Sequence, residues 1–352
     1  MKKKKIALIT GITGQDGAYL AKFLLKKNYK VFGIKRRTST INTSRIDDIY
    51  QEDTSNKKNN FILKYGDVTD PANINSLINE ILPDEVYNLA AQSHVQVSFA
   101  TPLYTSMTNS LGVINILESI KELRSRKKIK FYQASTSEMF GNHTQKILNE
   151  KSNFKPVSPY GSSKVFAYWL TKNYRDSYDI FAVNGILFNH ESPLRGETFI
   201  SRKVSIHVAK KFLGEKKILR VGNLYSKRDW GHAEEYVEGM WKMMQHKEPQ
   251  DLILATNKSY TVKEFIERAF KEINIKLKWV GKGLKEKALN SKTGEICVMV
   301  DEKYYRPNEL HYLKGNPQKA FKNLKWKPKI NFNTLIKEMV HSDIAKFEDD
   351  KL

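Results

Sequence analysis

Apolar and polar positions in the first half of the chain alternate between two periods. Residues 5–10 carry a continuous apolar stretch that runs into glycines, the pattern of a strand buried on both faces. Residues 15–27 then place Ala18, Leu20, Ala21, Phe23, Leu24 and Leu25 over one broad face, which predicts an amphipathic helix. Further apolar runs at 30–34, 61–65, 85–88 and 129–135 read as strands, and helical spacing at 71–81 and 103–123 separates the later ones. Strand and helix alternating at this spacing predict an α/β fold, a doubly wound parallel sheet with right-handed crossovers.

A long amphipathic helix is predicted over 159–178, followed by an apolar strand at 180–186. The regular alternation then fades. Short strands at 218–221, 252–255 and 298–300, with helices at 232–245, 261–273, 316–323 and 331–347, predict a smaller, mixed α/β C-terminal lobe. The expected division is a Rossmann-type dinucleotide domain over 1–190, to which some later segments return, and a mainly substrate-binding lobe over 191–352. No internal repeat, low-complexity tract or linker interrupts the chain.

Composition narrows the class. The chain has 352 residues, 40% of them hydrophobic, enough for a sizeable core. Met1-Lys2-Lys3-Lys4-Lys5 resembles the basic end of a signal peptide, but Thr10-Gly11 cuts the apolar run short and no small-residue cleavage site follows. No window is long and apolar enough to span a bilayer. The lone cysteine, Cys297, excludes an intramolecular disulfide and a Cys-rich metal site, so a cytoplasmic chain without a metal is expected. The net charge of +22 is spread along the chain, and its clusters at 2–5, 125–130 and 275–287 are poor in aromatics. That distribution suits a solvated basic surface better than a nucleic-acid interface, and a general positive field attracts an anionic nucleotide.

Gly11-Ile12-Thr13-Gly14-Gln15-Asp16-Gly17 stands between the first strand and the first helix. Glycines there permit a tight turn and let backbone approach a diphosphate at a helix N-terminus. The spacing is GxxGxxG, not GxGxxG. The second strand ends in Lys35-Arg36-Arg37-Thr38-Ser39, without the acid that binds a ribose 2′-hydroxyl. Guanidinium groups suit a 2′-phosphate instead, so NADP is the expected cofactor. Gly66-Asp67-Val68 closes the third strand, where the aspartate can accept from an adenine amino group. Asn88-Leu89-Ala90-Ala91-Gln92-Ser93 closes the fourth with small residues that let a cofactor lie against backbone.

The fifth strand ends in Ala134-Ser135-Thr136-Ser137-Glu138, and Ser158-Pro159-Tyr160-Gly161-Ser162-Ser163-Lys164 follows. Tyr160 and Lys164 are four apart and share a helix face. A phenol with a reference pKa of about 10 is a poor base at neutral pH, and bringing it to about 7 takes roughly 4 kcal/mol of differential stabilisation. A neighbouring ammonium and a nicotinamide cation act in that direction.

GxxGxxG, the Thr136 region and Tyr160-x-x-x-Lys164 together resemble the extended short-chain dehydrogenases/reductases. Within them, the strings LITGITGQDGAYLA, GIKRR, VYNLAAQSHV, FYQASTSE, NGILFNHESP with RGETF, and RDWGHA are similar to the GDP-mannose 4,6-dehydratase family over about residues 5 to 345. The resemblance implies that Thr136 bonds the sugar 4-hydroxyl, Tyr160 is its base, and Glu138 works on C5 and C6, while Lys164 binds the nicotinamide ribose and tunes Tyr160. It implies that Tyr104, His190 and Arg195 lie at the cofactor, and that Asn189, Lys203, Arg228, Arg306 and Glu309 hold the GDP part. The implied reaction oxidises C4, eliminates water across C5 and C6, and returns hydride to C6, giving a 4-keto-6-deoxy sugar from GDP-mannose. A homo-oligomer is implied, a tetramer in which segment 35–45 contacts a neighbour's cofactor site.

Three positions depart from the family pattern. Leu194 stands in place of an arginine, Glu235 in place of an aspartate, and the stretch 288–298 is shorter, which leaves contacts from that loop open. Two other readings stay open at this level. A nucleotide-sugar 4-epimerase or reductase needs the Tyr/Lys pair but no carboxylate at Glu138. A non-catalytic dinucleotide-fold protein that binds nucleic acid needs neither.

Overall fold

In the computed structural model, which describes residues 3–50 and 59–349, the apolar runs become one parallel sheet; Met1 and Lys2 of the basic start lie outside the described residues. β1 (Ile6–Thr10), β2 (Lys30–Lys35), β3 (Phe61–Tyr65), β4 (Glu85–Asn88), β5 (Lys130–Thr136) and β6 (Ala182–Leu187) are joined by an edge strand, Leu252–Leu254. The order across the sheet is Leu252–Leu254, β6, β5, β4, β1, β2, β3, all parallel. Helices cover both faces, which is why Ala7, Leu8 and Ile9 of β1 lie fully buried. The order reverses between β1 and β4, so a crevice opens there, at the carboxyl ends of the strands.

Helix α1 (Gln15–Lys26) and helix α2 (Pro71–Ile81) form where the apolar spacing predicts them. The helix expected at 103–123 is instead broken into Pro102–Ser106, a π-helical turn Met107–Leu111, and Gly112–Leu123. The turn has a structural use. It aims Asn109 so that Nδ2 donates to Gln92 O and Ser163 Oγ, each at 3.1 Å, while Oδ1 accepts from Gln92 N at 2.9 Å. The end of β4 is thereby tied to the helix Pro159–Tyr178 that carries Tyr160. That helix starts cleanly because Ser158 Oγ accepts from Gly161 N at 3.0 Å and Pro159 takes the first turn.

The later half contains a four-stranded mixed sheet, Leu277–Val280, Lys287–Asn290, Ile296–Val300 and Leu219–Val221. Its strands Leu277–Val280 and Lys287–Asn290, and the helix Ile200–Phe212, are not apparent from the sequence pattern. Two short pairings stitch this part to the crevice: Asn189–Glu191 with Trp230–His232, and Lys227–Arg228 with Tyr260–Thr261. Its core is aromatic. Trp230 stacks on Phe332 at 5.5 Å and 7°, with Phe265 edge-on to both. Glu235 reaches the backbone N–H of Ile330 at 3.1 Å, so the longer acid at this position anchors the chain just before the C-terminal helix Phe332–Asp349. No helix among the described residues is long and apolar enough to cross a membrane, and no group of three or more metal-ligating side chains occurs among them.

Candidate active site

The crevice is a cleft of about 1000 Å³ between the sheet and the smaller lobe. At its sheet end the glycine loop fits a dinucleotide by exclusion. Gly11 has φ +69°, and a Cβ there would lie 2.8 Å from Ala90 N and Leu89 C. A Cβ on Gly17 would meet Gly11 O at 2.4 Å. Gly14 caps α1 without a side-chain bond, so no protein side chain competes for the amides of that helix's first turn. Thr10 Oγ1 donates to Asn88 Oδ1 at 2.7 Å and accepts from Leu89 N and Ala90 N at 3.1 Å each, which fixes the end of β4 beside the loop.

Gln15 and Asp16 turn away from the loop toward the strand Asn189–Glu191. Gln15 Nε2 donates to His190 O at 3.1 Å, and Asp16 Oδ2 lies 2.8 Å from His190 Nε2. Burial pushes the Asp16 carboxyl up, but His190 outweighs it and the net shift is down. Burial pushes His190 down, and Asp16 outweighs it upward. Arg195 pairs with Glu191 at 3.0 Å and covers the Phe199 ring at 3.7 Å. Past the end of β2, Arg36 and Arg37 are exposed, Arg36 Nη1 bonds Tyr104 OH, and Arg37 bonds Thr38 O. Asp67 Oδ1 accepts from Thr69 N at 2.9 Å and Thr69 Oγ1 at 2.8 Å.

The reactive end lies where β5 meets the helix Pro159–Tyr178. Thr136 ends β5 and accepts from Glu138 N at 3.2 Å, which starts a short 3-10 turn and buries Glu138. Burial is the largest influence on Tyr160 and carries its phenol up to about 12, against a hydrogen bond with Thr136 that works downward. Burial also brings the Lys164 amine down to about 8. Glu138 Oε1 is 3.7 Å from Arg306 Nη1, and Oε2 is buried without a hydrogen-bond partner. The arrangement brings a hydroxyl, a phenol, an amine and a carboxylate to one place, the set that proton transfer to and from a carbon skeleton requires.

The far end of the cleft is cationic. Arg228 is buried, which pushes its guanidinium down to about 10, with Glu138 pulling it back up and Arg306 adding to the fall. Lys203 lies 3.4 Å from the Tyr304 ring centre and donates to Arg220 O at 2.7 Å; burial lowers its amine. Glu309 Oε1 accepts from Arg306 N at 2.9 Å and so shapes the turn that presents Arg306. Asn189 opens the strand that leads to His190. Arg306, 3.7 Å from the buried Glu138, together with the buried Arg228 and the half-buried Lys203 against Tyr304, forms a receptor for an extended anion.

All of the expected site residues line this cleft except Ile12, Gln92 and Arg37. Ile12 is buried in the core, where a Cβ on Gly33 would meet its Cγ1 at 2.4 Å. Gln92 turns inward, with Nε2 donating to Thr105 Oγ1 at 3.0 Å and Oε1 accepting from His94 N at 2.7 Å. Arg45 and Tyr304 belong to no motif that the sequence displays. Arg45 donates to Leu194 O at 2.7 Å and Thr13 O at 3.2 Å, bridging the glycine loop to the segment after His190. Leu194 itself packs against the core.

The parallel sheet with its switch point, the glycine turn and the Tyr160–Lys164 couple define an extended short-chain dehydrogenase/reductase. A family model described as GDP-mannose 4,6 dehydratase matches residues 8–339. The GDP-mannose 4,6 dehydratase of Cricetulus griseus is 48% identical over 343 residues, 97% of this chain and 92% of its own. The chain belongs to the GDP-mannose 4,6-dehydratase family. The dTDP-glucose 4,6-dehydratase of Bacillus anthracis, solved in complex with NAD, shares the fold with a TM-score of 0.78 at 21% identity, covering 98% of each chain. RMD from Pseudomonas aeruginosa, solved with NADPH, does so at 0.74 and 19%, covering 97% of this chain and 100% of its own.

Proposed function

We propose that the protein is a GDP-mannose 4,6-dehydratase, a hydro-lyase that works with NADP and yields GDP-4-keto-6-deoxymannose. The observation that carries this is Glu138: a buried carboxylate beside Thr136 and Tyr160, with Arg306 at 3.7 Å and one oxygen unpaired. An epimerase or reductase has no use for a carboxylate at that point, so the dehydratase is favoured over both. Membership of the family supports the same substrate.

In this reading residues 1–190 hold the cofactor and 191–352 mainly the sugar nucleotide. The Gly11–Asp16 loop and the α1 amides would receive the diphosphate, Asp67 and Val68 the adenine, and the backbone of Leu89–Ser93 the cofactor's flank. Arg36 and Arg37 favour a 2′-phosphate; residues 35–39 contain no acid to repel it. A bound nicotinamide supplies acceptance of hydride from C4 and its return to C6. Thr136 orients the 4-hydroxyl and Tyr160 takes its proton, leaving a C4 ketone that acidifies C5. Glu138 takes the C5 proton and protonates the departing 6-hydroxyl, so the C6–O bond breaks and water leaves. Tyr160 then gives the proton it took from the 4-hydroxyl to C5 as hydride returns to C6, which completes the balance. Arg228, Arg306 and Lys203 neutralise the substrate's diphosphate, with Asn189 and Glu309 positioning it.

Self-association belongs to the proposal. Leu103, Met107 and Leu111 recur every four residues and are exposed, as are Phe166 and Trp169 on the helix packed beside them. A homotetramer is expected, and a monomeric mass by light scattering at micromolar concentration would contradict it. The cytoplasmic location, and the absence of nucleic-acid and membrane partners, are carried forward from the sequence as parts of the same reading.

The experiment is incubation with GDP-mannose and catalytic NADP⁺, followed by mass spectrometry. Loss of one water without net NADPH is the expected result. An unchanged substrate mass would reject the dehydratase.

A further inference from the structure

Both ring nitrogens of His190 face acceptors. Nδ1 is 2.8 Å from Phe188 O, and Nε2 is 2.8 Å from Asp16 Oδ2. A carbonyl oxygen only accepts, so Nδ1 carries a proton. The proton shared with Asp16 belongs to the ring, because imidazole binds it more tightly than a carboxylate, about 6.5 against about 3.9 in reference pKa. A ring protonated at both nitrogens is an imidazolium. The pair is held from several sides. Gln15 Nε2 donates to Asp16 Oδ1 at 3.0 Å and to His190 O at 3.1 Å, and Ser192 Oγ donates to Gln15 Oε1 at 2.8 Å. Tyr236 stacks on the ring at 4.7 Å and 21°.

The charge of Asp16 is felt beyond the pair. It works against ionisation of Tyr160 and Tyr132 and in favour of the Lys164 ammonium. His190 is faced by Asp16 from α1, by Glu191 and Arg195 from its own segment, and by Tyr236 from the helix Ala233–Gln245; Arg195 opposes its protonation. We infer that His190 is a positioning residue for the catalytic couple: as a fixed imidazolium it neutralises Asp16 and so tunes how readily Tyr160 and Lys164 exchange protons. The inference rests on the proposed role of Tyr160 as base. Because His190 is raised above 6.5 and Asp16 lowered below 3.8, the pair's stabilisation is complete between pH 3.8 and 6.5; it is lost as pH rises through the raised His190 value or falls through the lowered Asp16 value.

The test follows titrations, which need no turnover. In ¹⁵N-histidine-labelled protein, with His190 assigned through H190N, both ring nitrogens are expected to be protonated at pH 7; a neutral ring overturns the inference. In ¹³C-lysine-labelled protein, with Lys164 assigned through K164M, H190N is expected to raise the Lys164 titration by about half a pH unit, roughly a threefold change in proton affinity. D16N/H190N, which restores neutrality without restoring the bonds, is expected to bring it back. An unmoved Lys164, or a double variant no nearer the native value than H190N, reduces the pair to a structural clasp. Protein that titrates as expected yet leaves GDP-mannose unchanged keeps the pair and rejects the proposed activity alone.

Discussion

Lys164 Nζ donates to the carbonyl oxygen of Ala134 at 2.9 Å, and lies 5.9 Å from the centre of the Tyr160 ring. Four-residue spacing brings the two side chains to one helix face, but the end of β5 holds the amine. Burial dominates both groups, so the couple is an amine brought down to about 8 beside a phenol carried up to about 12. Interaction with substrate and cofactor has to supply the remaining bias toward phenolate.

The buried amine has a stability consequence. Lys164 falls from 10.5 to about 8 on folding, so between those values the unfolded chain binds more protons and stability rises with pH. The cost of burying the ammonium is in full force below pH 8 and gone above 10.5. It amounts to about 3 kcal/mol, from which a lost hydrogen bond of about 1 kcal/mol is subtracted in a methionine variant. Ala134 O keeps a partner there, Gln133 Nε2 at 3.1 Å. K164M is therefore expected to be about 2 kcal/mol more stable than the native protein at pH 7, with little advantage at pH 10, while losing activity. Urea denaturation at the two pH values checks this, and equal stability at pH 7 would mean that the amine is not buried at a cost.

Cofactor choice turns on Arg36 and Arg37, both exposed past the end of β2. A charge-assisted bond is worth about 1.5–3 kcal/mol, or roughly 10- to 100-fold. R36A and R37A are expected to raise the KM for NADP⁺ within that range and to leave the KM for NAD⁺ nearly unchanged. Steady-state kinetics with both cofactors measures it. Equal losses with each would assign the arginines to the adenine or diphosphate instead of the 2′-phosphate.

Asp229 joins Arg228 in the cleft to Trp230 in the aromatic core, accepting from Thr256 N at 2.8 Å, Thr256 Oγ1 at 2.6 Å and Gly315 N at 3.4 Å. Burial still prevails and carries its carboxyl from 3.8 up to about 6. The protonated form is favoured by folding, so this group's contribution is complete below 3.8 and lost as pH rises through 6. D229N cannot ionise. Its stability relative to the native protein is expected to improve by about 2 kcal/mol between pH 4 and pH 7. A difference that does not change with pH, in denaturant melts at the two values, would show that Asp229 stays ionised.

The elements legible in the sequence are those whose burial is uniform along their length. β1, β2, β4, β5 and β6 announce themselves because both faces are covered, and Pro159–Tyr178 because Ser158, Pro159 and a left-handed Asp179 mark its ends. Strands of two or three residues, such as Lys227–Arg228, are too short to show a period, and the π turn at Met107–Leu111 leaves the apolar spacing intact. In the cleft, contiguous motifs were legible for the same local reason. The contact of Asp16 with His190 joins positions 174 apart, and Glu138 with Arg306 joins two loops of different lobes; only the path of the chain brings them together.

Glu138 is where the proposed chemistry is most exposed to test. Its Oε2 is buried with no hydrogen-bond partner, and Arg306 approaches Oε1 from the side expected to hold the diphosphate. Glutamine keeps the shape and removes the proton acceptor. E138Q is expected to lose about 10²- to 10⁴-fold in kcat, the range for a general acid–base group, with the KM for GDP-mannose changed only a few-fold. Oxidation at C4 depends on Tyr160, so a stoichiometric burst of NADPH absorbance is expected in E138Q even though no water is lost. Full turnover in the variant would remove Glu138 from the elimination. A loss of both burst and turnover, with binding intact by calorimetry, would place Glu138 in the first oxidation step as well.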